Sequence, residues 1–363
     1  MRKKQKLLWS ILTPILLIIL VIGGYFIYGF TTYYRLPEVM TIDTTNTTTQ
    51  QLGTNQEYTI STFNIGYGAY TQDYSFFMDG GKYSRAYNQE TVKTNMTGIT
   101  QAIQQINPDI ALFQEVDVDG DRSQHVDEVQ WLQHSFSDYA SVFTQNYDSA
   151  FLFYPVTDPI GKAKSGLVTL AKANLRDNTR YLLPIETGFN KFFDLDRAFT
   201  LSHIPVANGK TVALINVHLS AYTKDPAIGQ AQLKKLFSKM EEEYAKGNYV
   251  IVGGDYNHDM LLGKSPYVFG TSTDNTPRTW THPFPTEQLS SHFSLATQGL
   301  AEQKIPSARD LNEGYVANQT FVTLVDGFIV SDNIDVLNNT VVDLQFMNSD
   351  HNPVVMKFKL IEE

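Results

Sequence analysis

Several apolar runs in this chain carry, at or near one end, a side chain able to do chemistry. TFNIG holds Asn64, ALFQEV holds Glu115, LINVHLS holds His218, IVGGDYNHD holds Asp255 and Asn257, TLVDGFIV holds Asp326, and NSDHNP holds Asp350 and His351. Runs of this kind read as strands, and strand ends on one rim of a sheet are where sites are built. Collected there, carboxylates, amides and imidazoles would make a metal-assisted acid–base site. The hard oxygens suit Mg²⁺, Mn²⁺ or Ca²⁺, whereas the two histidines would instead suit zinc. Each residue also has a plainer reading. Asp, Asn and Pro make turns, Glu115 could close a strand edge, and His218, between Val217 and Leu219, could be a core histidine. The run DVDGD (117–121) lacks the spacing and terminal Glu of a calcium loop and reads as a solvated acidic loop. His258 reads as a bystander.

The elements that must position these groups follow from periodicity. YTISTFNI, DIALFQEV, GLVTLAK, AFTLSHI, TVALINVHL, YVIVGGDY, FVTLVDGFIV and PVVMKFKL read as strands. Gln89–Ile106 sets Val92, Met96, Ile99 and Ile103 on one helical face. Ile228–Lys246 does the same with Leu233, Leu236, Phe237 and Met240, and ends in Lys246-Gly247, a helix stop. Strands with a few interleaved helices predict an α/β domain of layered sheets. The stretch 263–285 is too long for a structureless connection and reads as a functional loop.

Ahead of this domain, MRKKQK carries four cations, and Leu7 to Tyr34 has no charged residue. That run exceeds the roughly 20 apolar residues a bilayer-spanning helix needs. No A-x-A-like cleavage site follows, so a retained anchor is expected over a cleaved signal peptide. The basic flank predicts residues 1–6 in the cytoplasm, 7–34 across the cell membrane, a Thr-rich linker over 35–57, and the domain 58–363 outside. The chain has no cysteine, which excludes a thiol nucleophile, a disulfide framework and Cys-ligated zinc. Removing the four N-terminal cations from 28 leaves 24 basic against 38 acidic residues, a balance of −14. That is a poor footprint for non-specific nucleic-acid binding, although a bound metal can supply local positive charge.

The ordered series N, QE, HL, GDxN, VD and SDHxP resembles the endonuclease/exonuclease/phosphatase superfamily, with its DNase I-like fold, over roughly Tyr58 to Leu360. The resemblance implies a four-layer sandwich, two β-sheets flanked by helices, with the site on one rim. It implies Glu115 as the main Mg²⁺ ligand, helped by Asn64 and Asp350, with Mn²⁺ or Ca²⁺ as substitutes. Asp255 would orient or deprotonate water, Asn257 would bind a phosphoryl oxygen, and His351, held by Asp326, would touch the scissile phosphate. His218 would be the second imidazole. Arg85, Arg278 and Arg309 are candidates for a second phosphate or head group. One departure bears on substrate: the apurinic-site branch has an acidic residue where this chain has Gly66. VDGFIV also lacks the Trp-Cys-Asp-Arg signature of inositol polyphosphate 5-phosphatases. The expectation is an outward-facing Mg²⁺-dependent phosphodiesterase acting on a nucleic acid, lipid head group or sugar phosphate, with no protein partner evident. The rivals are an extracellular nuclease, a sphingomyelinase-like lipid diesterase, for which no hydrophobic hairpin is evident, and a non-catalytic binding module.

Overall fold

Period-two alternation decides what the central strands bury. In Ile110–Gly120, Ile110 and Leu112 point into one core while Ala111 and Phe113 point into another. A strand buried on both faces must have layers on both sides, and it does. The computed structural model describes residues 2–32, 34–185, 196–221, 226–270 and 282–362.

The first sheet has seven strands in the order β1 (Val39–Thr41), β6 (Arg176–Leu182), β7 (Ala198–Pro205), β8 (Thr211–His218), β9 (Tyr249–Asp255), β13 (Asp326–Ser331) and β10 (Phe293–Leu295). The second has six, in the order β14 (Ile334–Val341), β15 (Val354–Leu360), β2 (Tyr58–Asn64), β3 (Ile110–Gly120), β5 (Ala163–Ala171) and β4 (Ala140–Asp148). A two-stranded ribbon pairs β11 (Ala308–Arg309) with β12 (Val322–Thr323). The sheets stack through a core that includes Ile60, Leu112, Leu214, Val252, Phe328 and Met356. Helix α4 (Pro226–Ala245) adds Leu233, Leu236 and Met240 to it from the outer face of the first sheet. Helices α2 (Gln89–Ile106) and α3 (Glu128–Ser135) cover the second sheet through Val92, Met96, Ile99, Ile103 and Leu132. Short helices α5 (Ser265–Phe269) and α6 (Leu300–Gln303) lie in connections. This is a mixed α/β fold of the DNase I-like kind.

Helix α2 begins and ends at the expected residues because its ends are chemically marked. The Asn88 side chain accepts from the Thr91 amide at 2.9 Å, and Asn107 takes the left-handed conformation that stops the helix. Helix α1 (Arg2–Thr32) is one helix long and apolar enough to cross a membrane, over Gln5–Thr32.

Several expectations need correction. FVTLVDGFIV is two strands, β12 and β13, broken at Leu324-Val325. Strands β4, β6 and β14 and helix α3 were not anticipated. The Thr-rich stretch expected as a linker is strapped onto the domain. Val39–Thr41 pairs with β6, the amide of Thr45 donates to the Ser141 carbonyl at 2.7 Å, and Leu52 is buried. Its backbone polar groups find sheet partners, which a free linker would leave to water. DVDGD is not a solvated loop: β3 runs through it, and Asp117 is fully buried.

Candidate active site

Strand register sets the first contacts. In the parallel β8–β9 pair His218 lies opposite Asp255, and in the antiparallel β9–β13 pair Asp255 lies opposite Asp326. Three functional side chains thus share one rung at one rim. Gly254 makes the approach possible. Its φ is +153°, and a Cβ there would sit 1.9 Å from the Val217 carbonyl oxygen, so no larger residue fits.

The second sheet delivers its groups by different devices. Asn64 ends β2 and donates from Nδ2 to Glu115 at 3.2 Å and to Asp255 at 3.0 Å, bridging the two sheets. Its Oδ1 accepts from the Gly66 amide at 3.0 Å. Glu115 sits where β3 slips register between Phe113 and Val116, with φ +54°. A bulge re-aims one side chain out of the alternation, and a positive φ at a non-glycine residue is strain typical of functional sites. Asp350 and His351 precede β15. Ser349 fixes them: its hydroxyl donates to the Asn64 carbonyl at 2.9 Å and accepts from the His351 amide at 3.2 Å.

On the rim, the imidazole Nδ1 of His351 pairs with the Asp326 carboxylate at 2.7 Å, and its Nε2 stands 3.9 Å from both Asp255 and Asp350. His218 Nε2 is 3.4 Å from Asp255 and 3.9 Å from Glu115. The Asn257 amide donates to Asp255 at 2.9 Å from a backbone at φ +49°, while its side chain donates to the Leu219 carbonyl at 2.8 Å.

Burial and charge tune these groups apart. Burial alone would push His351 down, but Asp326, Asp350 and Asp255 outweigh it and hold the imidazole well above its usual value. Burial, the Arg197 guanidinium and His351 push His218 well below its usual value, so it stays neutral. Burial and Asp326 push Asp255 up to about 7. Burial and then the neighbouring Asp350 raise Glu115, and burial raises Asp350. A carboxylate raised by burial and by a like-charged neighbour is a place where a cation would be favoured.

Two sets of residues could hold a metal. Among the described residues, Asp255, Asp326 and His351 place one ligand atom each within 4.8 Å of one another. In that set His351 Nδ1 is already taken by Asp326. The set of Glu115, Asp350 and Asn64 offers hard oxygens that suit a small divalent ion, with His351 Nε2 3.9 Å from Asp350 beside it.

All eight residues assigned to catalysis or metal binding therefore meet at one rim. Arg85 and Arg309 do not join them as free cations. Arg309 is buried and donates to the carbonyls of Thr71, Tyr74, Asp310 and Glu313, because an interior guanidinium must satisfy its own donors. Arg85 donates to the Pro159 carbonyl and stands 3.9 Å from Asp121 and 4.0 Å from Asp158. Arg278 lies outside the described residues. Two groups near the site were missed. One is Ser349, which sits inside the SDH motif. The other is Tyr70, which sits in the GYGAY run just after Asn64. Gly66, at φ +51°, has Tyr70 where a Cβ would be, at 2.3 Å, and Asp350 Oδ1 at 2.9 Å. The aromatic ring closes the space an acidic side chain would need.

A model of the Endonuclease/Exonuclease/phosphatase family matches residues 61–351, which contain every rim residue described above. Solved structures share the fold at low identity. One is an endonuclease/exonuclease/phosphatase from Beutenbergia cavernae DSM 12333, with a TM-score of 0.57 at 15% identity, covering 85% of this chain and 72% of that one. Another, from Bacteroides vulgatus, has a TM-score of 0.53 at 15% identity, covering 84% and 100%. D. rerio TDP2 complexed with a single strand DNA product has a TM-score of 0.51 at 13% identity, covering 84% and 100%. None of the curated proteins compared matches this chain. The match over 61–351, laid on these strands and this rim, shows that the chain belongs to the endonuclease/exonuclease/phosphatase family.

Proposed function

We propose that the protein is a divalent-metal-dependent phosphodiesterase, tethered to the cell membrane by α1 with its domain outside the cell. One observation carries the reaction class. Glu115 and Asp350 are like-charged neighbours on the rim, directly beside the Asp326–His351 pair and Asp255. Glu115, Asp350 and Asn64 would hold Mg²⁺, with Mn²⁺ or Ca²⁺ as substitutes. Asn64 would then turn its amide over to present oxygen, giving up the Gly66 contact and its donations to Glu115 and Asp255. The ion would neutralise phosphoryl oxygen charge as a Lewis acid.

The chain's own groups supply the remainder. Asp255, pushed up to about 7, is matched to take a proton from water near neutral pH. The Asp326 carboxylate orients His351 and keeps it charged, so Nε2–H donates to a non-bridging phosphate oxygen. Asn257 has a second amide N–H for another oxygen. Neutral His218 would donate its N–H to an oxygen or help the leaving group.

The test is hydrolysis by the full chain in detergent of an aryl phosphodiester and an aryl phosphomonoester, with Mg²⁺ or with chelator. Metal-dependent cleavage of the diester, abolished by Glu115→Ala and by His351→Ala, is expected. Cleavage that persists in either variant, or in chelator, refutes the assignment.

A further inference from the structure

The β4–β5 connection, residues 149–162, is a closed hairpin with an apolar tip. Leu152 and Gly161 exchange backbone hydrogen bonds at 3.0 Å each. Its base is braced: the Ser84 hydroxyl donates to the Asp158 carbonyl at 2.6 Å, and the Lys162 amide to Asp121 at 2.7 Å. From this stiff projection Phe151, Phe153, Tyr154 and Val156 stand 38, 49, 63 and 74% exposed. Nowhere else among the described residues of the domain do four large exposed apolar side chains fall within six positions. Such a patch marks an interaction surface.

What lies beside it identifies the partner. The Phe151 amide donates to the Tyr28 hydroxyl at 3.1 Å, the Tyr25 hydroxyl donates to the Phe151 carbonyl at 3.0 Å, and the Tyr25 ring meets Phe153 edge-on at 4.8 Å. Both tyrosines belong to α1, four and seven residues before its end at Thr32. At 1.5 Å per residue they lie roughly 6 and 10 Å below that end. If α1 spans a bilayer, this is the interfacial depth at which tyrosines concentrate. The hairpin tip is therefore held level with the last turns of the helix, within the head-group and upper acyl region.

The tip also connects to the rim. Tyr154 stacks obliquely on Phe77 at 5.7 Å, Phe77 meets Phe76 at 4.9 Å, and Phe76 meets Tyr70 at 5.9 Å. Tyr70 is the ring that fills the space at Gly66, next to Asp350. A chain of ring contacts thus runs from Tyr154, next to Phe153 in sequence, to Tyr70 beside Asp350.

We propose that the β4–β5 hairpin is a membrane foot that beds in the bilayer beside α1, and that the substrate is the phosphodiester of a lipid head group presented along these rings. The proposal rests on the readings of α1 as an anchor and of the rim as a phosphodiesterase. Water adds to phosphorus, one P–O ester bond breaks, and the departing oxygen takes a proton, leaving a phosphomonoester and an alcohol. Phe, Tyr and Val would attach the tip by burying their apolar surface in the bilayer.

The experiment uses the full chain in phosphatidylcholine–phosphatidylglycerol vesicles containing brominated lipid. Trp131→Phe and Trp280→Phe leave Trp9 to report on the anchor. A second protein adds Trp9→Phe and Phe153→Trp to report on the hairpin. Quenching of both is expected. Quenching of Trp9 alone overturns the foot and leaves the anchor standing. Quenching of neither overturns the anchor and the foot with it. In parallel, Phe151→Ser, Phe153→Ser, Tyr154→Ser and Val156→Ser are combined. The rate on vesicle lipid relative to a soluble aryl diester should fall at least about tenfold, a loss of roughly 1.4 kcal/mol. An unchanged ratio, or wild-type cleavage of single-stranded DNA faster than of vesicle lipid, overturns the lipid substrate. Wild type inert on every ester even with Mg²⁺ defeats the phosphodiesterase reading itself.

Discussion

Two acids two residues apart on β3, Glu115 and Asp117, live in opposite electrostatic worlds. Asp117 is fully buried and fully answered. Arg122 grips it bidentately at 2.8 and 3.1 Å, and the Ser123 hydroxyl donates at 2.8 Å. The guanidinium in turn lies 3.8 Å over the Tyr67 ring. Glu115 keeps 27% of its side chain exposed and, among the described residues, accepts the Asn64 amide, while Asp350 raises it as a like charge. An acid whose lone pairs and charge are satisfied by the chain is part of the scaffold. An acid left with a like charge and an opening to solvent is waiting for a cation. Residue type is nearly the same in the two cases; what differs is whether the surrounding fold supplies the counter-charge.

This contrast is easiest to break at its two principals. Glu115→Gln should lower the metal-dependent hydrolysis rate on the order of 10³-fold, several kcal/mol of Lewis-acid stabilisation. Thermal unfolding in chelator should stay as in wild type or rise, because one of two like charges is gone. Asp117→Ala should do the reverse. It strands Arg122 in the interior and should cost about 3–5 kcal/mol in urea unfolding, with the rate per folded molecule retained. If Asp117→Ala removed activity at unchanged stability, or Glu115→Gln unfolded the protein, the distinction drawn here would be wrong.

The same contrast explains what could be read from sequence. Rim residues stood out because hydrophobic runs placed polar side chains at their ends, where a soluble strand has no need of Asn64, His218 or Asp326. Helix α2 was legible because amphipathic spacing puts Val92, Met96, Ile99 and Ile103 on one face, and the asparagines at its ends then fix it in place. Strands β6 (RDNTRYL) and β14 (IDVLNNTV) hid because their polar composition masks pairing that only the neighbouring strands dictate. Arg85, Arg309 and DVDGD differ from expectation for a shared reason. Sequence shows that a charge exists, but not whether it is consumed inside. Arg309 donates to four residues' carbonyls, and Asp117 to Arg122 is a closed pair. Nor did sequence reveal that Phe151 and Phe153 of the β4–β5 hairpin would meet Tyr25 and Tyr28, more than a hundred residues away.

A third test sharpens which acids the metal uses. Saturating Mg²⁺ should raise wild-type stability by RT ln(1 + [L]/Kd), about 2.7 kcal/mol at a hundredfold excess over Kd. Chelator should reverse it. The shift should vanish in Glu115→Gln and persist in His351→Ala, as read by thermal denaturation. The opposite pattern would move the ion to the Asp255–Asp326–His351 cluster.

The smallest effect concerns Glu128, the third acid of this neighbourhood, which belongs to neither class. Its side chain is fully buried and accepts from the Asp117 amide at 2.8 Å. Burial first, then the Asp117 carboxylate, raise it well above the usual carboxylate range, so the folded protein favours its protonated form. A group whose folded value is raised favours the folded state fully below its unfolded value, near 4.3. That contribution is lost as pH rises toward the folded value, because the unfolded chain releases the proton first. Glu128→Gln keeps the shape and the acceptor oxygen and removes the titration. Below pH 4 its unfolding free energy should therefore match wild type within about 0.5 kcal/mol. Between pH 5 and 8 the variant should be equal or more stable, with a flatter dependence on pH. A variant that loses stability steeply at pH 7 would mean that Glu128 is charged in the fold and counts, with Asp117, among the acids answered by Arg122.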